Sequence, residues 1–147
     1  IRIAKFGEIY NLPDYTGKDK KCIVLDGAYS VDKWYRLHNG WGWWNDEQPT
    51  DEMKEYAIKQ LEKNNWEVDY VLSHTCPIDF EPTELFLPML DQSTVDNSYE
   101  KWLQNEIYNK LKYNNVWYFG HFHDDKFINN KMIMMFKNID RFGELCI

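Results

Sequence analysis

Three of the four histidines in this 147-residue chain lie where apolar runs end. "VLSHTCP" carries His74, and "VWYFGHFH" carries His121 and His123 on either side of Phe122. Imidazole nitrogen suits zinc, iron, manganese and similar ions. Two histidines flanking one residue where a strand ends can reach different targets. One can then face one ion and the other a second ion nearby. Two ions a few ångströms apart polarise a phosphoryl group and generate hydroxide between them. His74, His121 and His123 are therefore candidate metal ligands. The fourth histidine, His38 in "RLHNGWGWW", fits no ligand pattern and reads as a solvent-facing loop residue.

The elements that must position these rings follow from local pattern. "GEIYNLP" and "KCIVLDGAYS" read as two strands joined by the polar turn "DYTGKDK". "WGWWNDEQPT" is an aromatic, turn-rich loop. Thr50 is placed to cap a helix, with Asp51 and Glu52 in its first turn. "DEMKEYAIKQLEKNN" sets Met53, Tyr56, Ala57 and Leu61 on one helical face. "WEVDYVLSHTCP" is a short strand running to His74, stopped by Pro77. A loop rich in Pro and acids spans residues 79 to 94. A second helix is expected from about Val95 to Tyr113, with Tyr99, Trp102, Leu103, Ile107 and Leu111 at helical spacing. After "VWYF" comes a hairpin, "DKFINNKMIMMF", turning at Asn129 and Asn130.

Strand, helix, strand, helix, strand is an α/β order. In open α/β sheets ligands collect beyond the carboxyl ends of the strands. Right-handed crossovers make the two histidine-bearing strands parallel neighbours. His74, His121 and His123 are then expected on one rim.

Composition narrows the function. A content of 44% hydrophobic and 28% charged residues reads as one soluble globular domain. The longest apolar run is too short for a membrane span, so no membrane partner is expected. A net charge of −7 argues against nonspecific nucleic-acid binding, which needs a basic surface. A phosphate substrate stays open, because a bound metal reverses the local field. Cys22, Cys76 and Cys146 are odd in number and form no CxxC pair; they read as buried small hydrophobes in a reducing, cytoplasmic setting.

"VLSHTCP" followed by "YFGHFH" resembles the last two motifs of the calcineurin-like metallophosphoesterases. "VLDGAYSVDKWYR" and "GWGWWNDEQPT" look like that family's strand and loop upstream of them. The resemblance runs from about Gly7 to Phe136. It implies a β-sandwich flanked by helices, an α/β/β/α four-layer fold. It also implies hydrolysis of a phosphoester by water activated between two divalent transition metals, Mn, Fe or Zn. The positions matching His74 and His121 ligate one ion, and that matching His123 the other. The family's D-x-H, G-D-x-x-D and G-N-H-[DE] motifs are absent from the sequence. The resemblance places them before Ile1, so the chain is expected to be the C-terminal half of a single domain. Without the shared carboxylate, partial or no metal occupancy and weak activity are expected, and no catalytic residue is assigned. Asp79, Asp124 and Asp125 lie near the histidines, but nothing matches them to that carboxylate's role. An exposed sheet edge is expected to drive self-association.

Two other readings stand beside this one. The chain could be a non-catalytic binding or structural remnant of such a domain. It could instead be an aromatic-rich ligand-binding module that stacks sugars or nucleotides on Trp41, Trp43 and Trp44. Asp32 could orient the histidines from behind or cap a turn.

Overall fold

The computed structural model describes residues 4–30, 33–42, 47–86, 88, 91–112 and 115–138. Trp43, Trp44, Asp32 and Cys146, singled out from the sequence, lie outside the described residues. Among the described residues, six strands form one mixed sheet: β1 (Ile9–Pro13), β2 (Asp19–Leu25), β3 (Tyr70–Ser73), β4 (Val116–Phe119), β5 (Lys126–Asn129) and β6 (Met132–Met134). Their order is β1-β2-β3-β4-β6-β5. The four inner strands run parallel, and the outer two pair antiparallel to their neighbours. The inner strands are the short apolar runs "CIVL", "YVLS", "VWYF" and "MIM", as expected of strands enclosed on both faces. The protein is thus α/β, with β3 and β4 as the parallel neighbours that the chain order requires.

Alternation divides the sheet into two apolar faces. On one, Ile23, Leu25, Val71, Trp117, Phe119, Met132 and Met134 join a core with helical residues. These come from α2 (Asp51–Lys63), which supplies Ala57 and Leu61, and from α3 (Ser98–Trp102) with its continuation, which supply Tyr99, Leu103 and Ile107. On the other face Cys22, Tyr70, Val116 and Ile133 cluster with Leu12, Leu72, Tyr118 and Met135. Among the described residues, this second cluster is built by the strands and Met135 alone.

Thr50 caps α2 as its position predicts, its hydroxyl accepting from the Met53 amide at 3.3 Å. Such a cap contributes about 1 kcal/mol. Met53 is not buried; it is 39% exposed, one turn before Ala57 and two before Leu61. Gly7 (φ +74°) lets the chain entering β1 lie against α2, since a Cβ there would come within 2.8 Å of Ala57. A short helix, α1 (Lys33–His38), precedes the aromatic loop. It has no strong periodicity, and the sequence reading passes over it. No helix among the described residues is long and apolar enough to cross a membrane.

The second long helix is shorter than its pattern predicts. It starts at Ser98 and becomes π-helical over Leu103–Tyr108. Tertiary demands explain the wider turn. The buried Gln104 accepts from the Asp79 amide at 3.4 Å and donates to the Asn109 side chain at 3.0 Å. The Asn109 amide in turn reaches back five residues to the Gln104 carbonyl.

Candidate metal centre

The register aligns Leu25 with Ser73, and Ser73 with Phe119. The next residues in each strand, Asp26, His74 and Gly120, therefore leave the sheet at one level. His74 is held from both sides: its amide donates to Leu25 O at 3.3 Å, and its carbonyl accepts from Gly120 N at 3.0 Å. The sheet thus extends one residue beyond β3, and the exposed His74 ring stands at its rim.

His121 reaches the same point by a tight reversal. The Phe122 amide donates to the Gly120 carbonyl at 2.9 Å, and His121 between them has φ +69°. That is the signature of a γ-turn, a strained conformation for a residue other than glycine. Phe122 anchors the turn, packing edge-on against Phe119 and stacking on Phe86. With Phe122 turned to the core, the two flanking histidines are left at the rim.

The result is a close imidazole pair. His121 Nδ1 lies 3.2 Å from His74 Nε2, with ring centroids 5.1 Å apart. In the absence of an ion, one ring donates its N–H to the other's lone pair. The spacing also suits a shared cation. Two nitrogens on one tetrahedral zinc, at bonds of about 2.0–2.1 Å, sit about 3.3 Å apart.

His123 takes a different direction. It also has positive φ, +56°, but its exposed ring stacks on Phe136 with centroids 5.0 Å apart and planes 22° apart. The structure therefore brings His74 and His121 together and seats His123 on its own aromatic support. Among the described residues, no group of three His, Cys, Asp or Glu side chains is close enough to hold a metal ion. His38 ends α1 as an exposed residue.

Hydrogen bonds tie the floor beneath His74. The fully buried Trp117 donates its indole N–H to Ser73 Oγ at 2.6 Å, and the Ser73 hydroxyl donates to the Thr75 carbonyl. These bonds bracket His74. Thr75 and Cys76 beyond it are fully buried. Burial pushes the Cys76 thiol far up. The Cys22 thiol is pushed up to about 12 by the same cause.

Behind this loop lie two acids that sequence reading did not single out. Glu100 is 5% exposed, and burial raises its carboxyl above the usual range. Neither its Oε2 nor Thr75 Oγ1 has a hydrogen-bond partner among the described residues. Glu81, half-buried, is pushed up to about 7, first by burial and then by the charge of Glu100. A carboxyl whose folded pKa is raised favours the protonated fold. Its contribution is present below about pH 4.5 and is lost as pH climbs through about 7. The exposed carboxylates held low by hydrogen bonds, such as Asp14 and Asp91, act in a lower window. Unfolding by urea should show stability falling between pH 4.5 and pH 7.5. Glu81→Gln should remove on the order of 1–2 kcal/mol of that fall, discounted for the half of the carboxyl left in water. An equal fall in wild type and variant would contradict the assignment.

Asp26 is a further rim residue that was missed. It ends an apolar run just as His74 does, and that was the available signal. Its Oδ1 accepts from the Gly27 amide at 2.8 Å, and its carbonyl accepts from the Tyr99 hydroxyl at 3.0 Å. Beside it opens a cleft of about 240 Å³ lined by Phe6, Asp26, Gly27, Glu47, Pro49 and Met53. Gly27 (φ +97°) permits this approach, since a Cβ would sit 2.7 Å from Glu47 O. Trp41 lies 58% exposed, edge-on to Tyr35 at 5.6 Å. In comparison with known proteins, no family model, no curated protein and no solved structure matches this chain.

Proposed function

We propose that the chain is the histidine-bearing part of a metal-dependent phosphoester hydrolase. The observation that carries this reading is the His74–His121 pair, 3.2 Å between ring nitrogens, on the carboxyl rim of two adjacent parallel strands. His74 and His121 hold one divalent ion, Mn, Fe or Zn, and His123 serves a second. A bound divalent ion polarises the phosphoryl oxygens of the substrate. His74, fixed by two backbone bonds, and His121, fixed by its turn, supply a preformed edge for that ion. On this reading the second apolar sheet face, around Tyr70, Val116 and Ile133, carries another sheet in an α/β/β/α sandwich. The setting is cytoplasmic, the substrate is a phosphoester, and nucleic acid is not bound nonspecifically. Self-association uses an outer strand, with Phe127 of β5 58% exposed.

Hydrolysis of p-nitrophenyl phosphate tests the reading. Added manganese should raise the rate above the chelator-treated level, slowly in this chain alone, and His121→Ala should return it to that level. A rate indifferent to His121 would count against it. The second reading, a non-catalytic metal-binding remnant, is favoured by the lack of a third ligand beside the pair among the described residues. Metal binding without any rate response would select it.

A further inference from the structure

We propose that Asp125 is a positioning residue that sets the orientation of His123 by holding Phe136 against its ring. Asp125 Oδ1 accepts from the amides of Phe136 at 2.7 Å and Asn138 at 3.2 Å. The Lys137 amide is shared between Oδ1 at 3.3 Å and Oδ2 at 3.0 Å. Three consecutive N–H groups thus converge on one carboxylate, as backbone amides do in an anion nest. Bonds to an ionised acceptor are roughly twice as strong as neutral ones.

This tie sits at the open end of the β5–β6 hairpin, where Lys126 pairs with Met134. The end of β6 is also tied to β4, by the Met135 N to Phe119 O bond at 2.8 Å. Asp125 extends the hairpin's hold past Met134 to residues 136–138. Phe136, at 48% exposed, is poorly anchored by burial. Its place over His123 follows from the three amides around it. His123 itself occupies the left-handed region at φ +56°. A non-glycine residue persists there only when its surroundings over-determine it. The Asp124 carboxylate, accepting from the Asp125 amide at 2.9 Å, fixes the same turn from inside. The order of cause is Asp125, then segment 136–138, then the Phe136 ring, then the His123 ring.

The inference rests on the reading above in one respect, that an oriented His123 serves the metal site. Its test separates the two. Imidazole NMR spectra of the metal-free chain should show His123 ring protons displaced upfield by the Phe136 ring current. Asp125→Ala and Phe136→Ala should each move them to the position of a free imidazole, leaving His74 and His121 unchanged. Asp125→Asn keeps Oδ1 as an acceptor and should retain most of the displacement. His123 signals that stay in place in Asp125→Ala would overturn the proposal. So would an equal disturbance of all three rings by Phe136→Ala. Zinc titration of the same variants tests the metal reading: Asp125→Ala should weaken binding about tenfold or more. A moved His123 ring with unchanged zinc affinity upholds Asp125 as the positioning residue and removes His123 from the ligand set.

Discussion

Alanine at position 117 should cost about 3–5 kcal/mol of folding stability, the range for truncating a buried aromatic. Trp117 is fully buried in the main core and lies 6.2 Å from the Tyr108 ring. Its loss removes packing against the helical layer and leaves Ser73 Oγ without its indole donor. A domain of this size holds only about 5–15 kcal/mol in total, so the variant stands near the edge of folding. Trp117→Phe keeps much of the ring volume and loses the N–H, for a cost of about 1–2 kcal/mol. Urea unfolding with unchanged slope measures both. A loss below about 1 kcal/mol for alanine would contradict the packing described for β4.

Removal of either member of the imidazole pair should have the largest effect on metal affinity. Loss of an outer-shell partner costs about 10–100-fold, and His74 and His121 are proposed as direct ligands. His74→Ala or His121→Ala should therefore weaken zinc binding by about 100-fold or more. The two substitutions act on one site, so the double variant should bind no worse than either single one. Such non-additivity is expected of residues that share a ligand. Isothermal titration of the three variants measures this. Two separate binding events, each abolished by only one of the substitutions, would mean that each ring holds a different ion. His123→Ala should fall between wild type and these variants, because its ring is seated on Phe136.

Much of the rim was legible in the sequence, for a physical reason. Apolar runs of four residues ending in histidine, separated by a helix, leave few arrangements besides adjacent parallel strands with their ends in line. The pairing of Ser73 with Phe119 is that arrangement. Thr50, Asp51 and Glu52 likewise marked the start of α2 through local chemistry alone. What escaped depends on contacts between distant segments. The direction of the His123 ring is set by Phe136, and Phe136 by Asp125, none of which local pattern reveals. The π-helical turn answers to Asp79 and Asn109 through the Gln104 side chain. Glu100 lies in the first turn of α3 at 5% exposure, a burial that no local pattern marks. The six residues of α1 carry too little periodicity to announce a helix.

Ring nitrogen-15 spectra during a zinc titration decide whether His74 and His121 grip one cation through specific nitrogens. His74 Nε2 and His121 Nδ1 should shift together, at the same zinc equivalents, while both nitrogens of His38 stay unmoved. Shifts confined to one of the two rings, or absent from both, would contradict that shared grip.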